Sequence, residues 1–261
     1  MDRPLALVTG ASSGIGRAIA LQLAREKRHD LLLVARRGEE LARLAAEVRL
    51  LDVKAHVLAQ DLALPEAAAK VQAFADALGF MEILVNNAGF GLCAPSWEQP
   101  DKQLQMIDLN VRTLTELCVR FLPAMVGKRR GRILNIASVG AFQPVPFMAV
   151  YSATKAYVVS YTAALNLELD GTGVTATASC PGPVSTGFGE VAGVHAGSMG
   201  ATYQEAQEVA EAALSAMRAG KAVATTGPLP ALAQVLVKLS PRMASAWVSG
   251  RLMKLSMKRP A

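Results

Sequence analysis

The stretch that decides the fold is Leu5-Ala6-Leu7-Val8-Thr9-Gly10-Ala11-Ser12-Ser13-Gly14-Ile15-Gly16. Its first five residues form an uncharged apolar run of strand length. Its last seven carry three glycines at the head of a pattern of helical period, Ile15–Glu26. Glycines allow a tight turn and let backbone N–H groups approach a ligand at a helix N-terminus, where unpaired donors and the helix dipole favour a phosphate. Strand, glycine turn and helix in this order predict a phosphate cradle. Three residues separate the first two glycines, where the common dinucleotide fingerprint has one. A glycine cluster after a strand is often only a turn, so the reading depends on what the rest of the chain places beside it.

Outward from this stretch, short apolar runs alternate with longer segments of helical period. The strands are expected at Leu5–Thr9, Asp30–Ala35, Lys54–Leu58, Ile83–Asn86, Arg132–Ile136 and Val174–Ser179, with a seventh at Ala222–Thr225. Each carries few charges, as strands buried on both faces require. Helices are expected over Ile15–Glu26, Gly38–Leu50, Pro65–Leu78, Asp101–Val126 and Val150–Asp170, one for every crossover of a parallel sheet. The pattern predicts an α/β fold: a doubly wound, Rossmann-type parallel sheet of about seven strands, in a single domain with a helical C-terminal tail. Residues 1–227 would form the cofactor-binding and catalytic unit, and 228–261 a basic amphipathic tail packed on or beside it. A capping pair, Thr202 and Glu205, is expected to open a helix ahead of the tail.

Composition narrows the function class. The chain has 261 residues, 52% hydrophobic and 18% charged, within reach of one hydrophobic core. No secretory signal is read at Met1–Val8, and no apolar run reaches the length of a membrane span, about 18 residues. Cys93, Cys118 and Cys180 are odd in number and far apart, which speaks against a disulfide framework and for a reducing, cytoplasmic setting. His29, His56 and His195 show no ligand spacing, so no metal is expected. The net charge of +6 is concentrated at the end of the chain, because no acidic residue follows Glu211. Nucleic acid is not an expected partner.

In an open parallel sheet the ligand lies beyond the carboxyl ends of the strands, so residues at those exits carry the functional signal. The second strand exits into Ala35-Arg36-Arg37, with no acidic residue to hold a free ribose 2′-hydroxyl. Two arginines there suit a 2′-phosphate, so NADP(H) is preferred, with NAD(H) the alternative. Asp61 and Leu62 follow the third strand as adenine-pocket candidates. Asn86-Asn87-Ala88-Gly89 closes the fourth, with asparagines that suit shaping of the backbone. Strand five exits into Ser138, and thirteen positions on come Tyr151 and Lys155, four apart on one helical face. A cation beside a tyrosine favours its phenolate and brings a pKa near ~10 toward a useful range, which makes the pair an acid–base candidate.

These motifs together resemble the short-chain dehydrogenase/reductase family, of the common type about 250 residues long, as far as about Thr226. The resemblance rests on Thr9 to Gly16, Asn86 to Gly89, Asn110, Ser138, Tyr151 with Lys155, and Pro181-Gly182-Pro183-Val184 with Thr186. It implies Tyr151 as general acid or base, with Lys155 tuning it and binding the nicotinamide ribose. Ser138 would hold the substrate oxygen, and Asn110 would support a water-linked proton relay to Lys155. Val184 and Thr186 would hold the nicotinamide carboxamide, with Pro181 and Gly182 beside them. Cofactor contacts are thus expected from Gly10, Ser12, Ser13, Gly14, Ile15, Gly16, Arg36, Arg37, Asp61, Leu62, Asn87, Ala88 and Gly89 as well. The chain departs from the pattern at Ser13, where many NADP-preferring members carry a basic residue. The resemblance also implies a homodimer or homotetramer built on the long fourth and fifth helices.

The expected activity is hydride transfer between NADP(H) and a small-molecule carbonyl or secondary alcohol. A hydrolase is disfavoured because Ala137-Ser138-Val139 lacks the flanking glycines of a nucleophile elbow. A non-catalytic dinucleotide sensor is the alternative that the intact tetrad of Asn110, Ser138, Tyr151 and Lys155 opposes. The Gly-rich segment Ser185–Thr202 carries few distinctive polar groups, which suggests an apolar or medium-sized substrate that His195 or Tyr203 could contact. In the tail, Leu232, Val235, Leu236 and Leu239 can form one apolar stripe, and Trp247, Val248, Leu252 and Leu255 another. These stripes would cover the cleft or a subunit face, or, with the tail's bases, lie on an anionic membrane.

Overall fold

The computed structural model describes residues 3–194, 203–227 and 242–256. Seven parallel strands form one sheet in the order β3-β2-β1-β4-β5-β6-β7. They are β1 (Leu5–Thr9), β2 (Asp30–Ala35), β3 (Ala55–Ala59), β4 (Met81–Asn86), β5 (Gly131–Ile136), β6 (Val174–Cys180) and β7 (Val223–Thr225). The chain winds outward from β1 through β2 to β3, returns to pair β4 against the other side of β1, and continues outward to β7. The switch in strand order between β1 and β4 leaves a crevice at their carboxyl ends.

Alternation along the buried strands supplies two core layers. Leu7, Leu32, Leu84 and Ile133 face one side, against Leu117, Phe121 and Val158. Val8, Leu31, Leu33, Val85 and Leu134 face the other, against Ile19, Leu23, Leu44 and Leu214. The first layer of helices comprises α3 (Ala67–Asp76), α5 (Leu114–Gly127) and α6 (Ala149–Glu168). The second comprises α1 (Gly14–Glu26), α2 (Gly38–Arg49) and α8 (Ala206–Arg218). Between the sheet and α6 runs a buried polar seam: Asn86 Nδ2 donates to Asn135 Oδ1 at 2.9 Å, and Asn135 Nδ2 donates to Thr162 Oγ1 at 2.9 Å. These bonds fix strand against helix, while Asn86 Oδ1 stays buried with no partner among the described residues.

Three expectations need correction. The single helix expected over Asp101–Val126 is interrupted: α4 (Pro100–Ile107) passes through a π-helical turn, Asp108–Thr113, before α5 begins. Apolar periodicity cannot reveal such a turn, because one wide turn changes the register by a single residue. Helix α8 begins at Ala206 with Glu205 in the N-cap position and no side-chain cap, while Thr202 lies outside the described residues. Gln204 ties this region down instead, exchanging hydrogen bonds with Thr226 and joining its backbone to Pro183 and Ser185.

The last correction concerns the tail. Leu232, Val235, Leu236 and Leu239 lie outside the described residues, as do the side chains of Leu252 and Leu255. Trp247 and Val248, expected in the second stripe, are 62% and 53% exposed on α9 (Arg242–Ser256), so of the covers expected for that stripe they do not supply the one over the cleft. The face turned inward is Ala246, Ser249, Gly250 and Met253. Small residues let the helix approach its neighbours closely, a signal that a search for large apolar residues passes over. Among the described residues no helix is long and apolar enough to cross a membrane.

Candidate active site

The crevice at the strand exits opens into a cavity of about 800 Å³, and every residue of the expected cofactor set except Gly16 reaches its wall. Gly16 acts from behind. A Cβ there would lie 2.4 Å from Asn87 Nδ2 and 2.5 Å from the Gly10 carbonyl oxygen, so the first turn of α1 can close against the β1 exit only without a side chain. Asn87 is the clasp, donating from Nδ2 to the carbonyls of Thr9 at 3.0 Å and Gly10 at 3.3 Å. Thr9 Oγ1 returns the grip by accepting from the N–H groups of Asn87 and Ala88. Gly10 and Gly14 adopt φ of 64° and 54°, the left-handed region where L side chains are strained. Helix α1 has no side-chain cap and no acidic residue in its first turn, so its leading donors are directed at the cleft. This cradle suits a dinucleotide pyrophosphate.

At one end of the cavity Arg37 reaches across to the glycine loop. Its guanidinium donates to Ser12 Oγ at 3.0 Å and to Ser13 Oγ at 2.7 Å, with the exposed Arg36 beside it. Arg37 and the two serines form one hydrogen-bonded group, so a base from the β2 exit stands at the place where Ser13 departs from the family pattern. Asp61 turns its carboxylate to the backbone N–H of Ala63, and Leu62 is buried below with its carbonyl held by Thr113. Gln60 also lines this end, although the sequence reading passed it over because a lone glutamine at a strand end carries no pattern.

At the other end stand Ser138, Tyr151 and Lys155, while Asn110 is buried and does not reach the cavity wall. Ser138 caps a short 3₁₀ turn, Val139–Phe142, by accepting from Gly140 N–H at 3.1 Å, which fixes its hydroxyl beside Tyr151. Lys155 is 5% exposed, and its Nζ donates to the Ile136 carbonyl at 2.8 Å. The π turn brings Asn110 to the same place, where Nδ2 donates to Phe90 O and Thr154 Oγ1 while Oδ1 accepts from Phe90 N–H. A Cβ on Gly89 would lie 2.9 Å from Asn110 Oδ1 and 3.5 Å from Lys155 Nζ, so this glycine lets both approach the backbone.

Electrostatics here run against the simple expectation. Burial pushes the Tyr151 phenol up to about 12, opposed only by the Ser138 hydroxyl. Burial also pulls Lys155 down to about 8, opposed by Cys180. Lys155 Nζ sits 5.9 Å from the centre of the Tyr151 ring, with its shortest hydrogen bond spent on Ile136. Desolvation therefore outweighs the attraction expected between the pair. A phenol held protonated at neutral pH is suited to donating a proton.

Beyond Tyr151 the wall turns apolar, with Phe188 of α7 (Phe188–Ala192) tilted against the Tyr151 ring at 5.4 Å. Tyr203 lines the wall, and His195 lies outside the described residues. Two contributors that the sequence reading missed, Ser249 and Met253, come from α9, on the face where no large apolar stripe was present to find.

The short chain dehydrogenase family model matches residues 4–195. The chain belongs to this family, and it is an oxidoreductase with a nicotinamide-dinucleotide fold. Serine 3-dehydrogenase of Rhizobium radiobacter is 36% identical over 185 residues, 70% of this chain and 72% of the relative. A provisionally named ketoacyl reductase of the granaticin polyketide synthase from Streptomyces violaceoruber is 42% identical over 192 residues, 72% and 70% of the two chains. Among solved structures, a short-chain dehydrogenase from Sphingobium yanoikuyae in complex with NADPH superposes with a TM-score of 0.80 at 32% identity, covering 92% of this chain and 97% of that one.

Proposed function

We propose that the protein is an NADP(H)-dependent reductase of carbonyl compounds, equally able to oxidise the matching secondary alcohol, with Tyr151 as the general acid or base. The observation that carries this reading is the span of one cavity. The Arg36, Arg37, Ser12 and Ser13 group lies at one end and Tyr151 with Ser138 at the other. Arginine donors suit a 2′-phosphate through charge-assisted bonds that a free ribose hydroxyl cannot match. The cofactor, when bound, supplies or accepts the hydride.

The chain's own groups supply the rest. Ser138 donates to the substrate oxygen and holds it toward Tyr151 as negative charge develops there. Tyr151, protonated at neutral pH, transfers its phenolic proton to that oxygen during reduction. Lys155 and Asn110 order the polar floor that resupplies the proton, Lys155 from the Ile136 carbonyl and Asn110 from the π turn. On the same reading Val184 and Thr186 hold the carboxamide, residues 1–227 form the working unit and 228–261 a tail upon it. The exposed Leu104, Ile107, Val119 and Tyr157 of α4 to α6 offer a subunit face, and the three cysteines, none of them in a disulfide, fit a reducing compartment.

Tyr151→Phe tests the assignment. In assays of a ketone panel with NADPH and NADH, the variant is expected to lose about 10²–10⁴-fold in kcat, the range of a positioned acid–base group, while binding NADPH as the parent does by cofactor fluorescence. Retention of more than a tenth of the parental kcat would remove Tyr151 from the mechanism.

A further inference from the structure

Helix α9 lies beyond residue 195, where the family match ends. Its inward face lands on the segment that joins Ser138 to Tyr151. Ser249 Oγ donates to the Pro144 carbonyl at 2.9 Å, and a Cβ on Gly250 would lie 3.0 Å from Pro146 Cγ. Lys254 stands 5.8 Å from the Phe147 ring centre, and Phe147 itself holds a left-handed φ of 66°, a conformation that costs a bulky residue and persists where its neighbours fix it. These contacts seat Met253, 3% exposed, in a cluster with Met148, Ala192 and Val194 against Tyr151.

The charges of the cavity are unevenly placed. Its basic residues among those described are Arg36, Arg37 and Lys155. Both arginines stand at the glycine loop, and Lys155 is buried on the Ile136 carbonyl. Among the described residues, the end under α9 carries two ionisable side chains beyond the catalytic pair, the phenol Tyr203 and the acidic, exposed Glu190. Among the described residues of that wall, a carboxylate or phosphate on the substrate would meet no cation and would lose its hydration against thioethers and aliphatic groups.

We propose that α9 is the substrate-selecting roof of the active site, with Met253 as its specificity residue, and that the pocket takes uncharged ketones bearing an apolar arm. The assignment rests on the carbonyl-reductase reading above. Met253 packs on the arm while Tyr151 and Ser138 hold the carbonyl, and Ser249 and Gly250 position the helix.

Three probes with NADPH test this: 4-phenyl-2-butanone, the smaller 2-butanone, and 2-oxo-4-phenylbutanoate, which replaces a methyl by a carboxylate. The parent protein is expected to prefer the phenyl ketone to the keto acid by at least about tenfold in kcat/KM, and Met253→Ala to raise KM for the phenyl ketone about tenfold, within the range seen when an apolar pocket contact is lost. KM for 2-butanone should rise much less than that for the phenyl ketone, and the Kd of NADPH reports whether the far end of the cavity is disturbed. If Met253→Ala does not fold, Met253→Phe carries the test with the opposite geometry, excluding the phenyl ketone and retaining 2-butanone. Equal use of ketone and keto acid, or an equal effect of Met253 variants on both ketones, would overturn the inference and leave the reductase reading standing. Absence of turnover of any carbonyl compound by a protein that binds NADPH would overturn both.

Discussion

The two ends of the cleft are built by different means. At the cofactor end, Gly10, Gly14, Gly16, Thr9 and Asn87 hold backbone against backbone, and most partners lie on neighbouring strand exits. At the substrate end, a roof is assembled from pieces remote in sequence: Ser249 on Pro144, Gly250 on Pro146, Met253 on Met148 and Val194. Backbone approach tolerates few residue types and so leaves a recognisable sequence signature. Apolar packing accepts many solutions of similar volume and leaves little trace. The first end can stay fixed while the second changes with the substrate.

The sharpest way to break this comparison is to place the same methyl group in both regions. In Gly16→Ala the new Cβ meets the Gly10 carbonyl at 2.5 Å and Asn87 Nδ2 at 2.4 Å, so the β1 turn or α1 must move. A loss of about 3 kcal/mol, at the upper end of overpacking costs, is expected in urea unfolding, with NADPH binding weakened as well. In Gly250→Ala the Cβ meets a proline ring carbon at 3.0 Å, and the strain is opposed by the helix propensity gained, about 1 kcal/mol. Its stability should stay within about 1 kcal/mol of the parent. Equal losses at the two sites would show that the roof is as intolerant as the cradle.

The next test stays at the cofactor end and sharpens its assignment. Arg36→Ala with Arg37→Ala should weaken NADPH about 10- to 100-fold, the worth of charge-assisted bonds to one phosphate, and NADH by much less. The ratio of the two dissociation constants is the readout. Equal weakening would mean that Arg37 serves through its bonds to Ser12 and Ser13, supporting the loop and not reading the cofactor.

How much the sequence disclosed follows the same division. The seven strands lie within two residues of their expected bounds because strands buried on both faces permit little besides apolar residues. The residues that line the crevice were legible at the strand exits, since the fold itself says where a ligand must lie. The π turn at Asn110 was not, because its signal is a one-residue shift inside an otherwise regular helix. Nor was the inward face of α9. Trp247 and Val248 carry the hydrophobicity that a periodicity search rewards, yet they point outward, with Arg251 stacked 4.2 Å above Trp247. The packed face is recognisable only once the 144–148 segment is in place to receive Gly250.

Lys155 stands where the two regions meet, hydrogen-bonded to the β5 exit and close to Gly89 of the cradle, and its burial predicts the smallest effect. Desolvation lowers it from the ordinary lysine value of 10.5 to about 8. Between those two values the lysine is still protonated in the unfolded chain and is neutral in the folded one. The unfolded state then binds more protons, so stability gains with rising pH across that window. Below about 8 both states are charged, and the folded protein carries the full penalty of a buried ammonium. Lys155→Met removes both the charge and its titration while leaving the rest of the site in common. The variant should therefore be the more stable at pH 7, by up to about 2 kcal/mol, with the advantage shrinking steadily toward pH 10. Urea unfolding of the pair at pH 7, 8.5 and 10 measures this. A difference that stays level across the series would mean that Lys155 titrates as a solvated lysine, and that the two ends of the cleft do not enclose it between them.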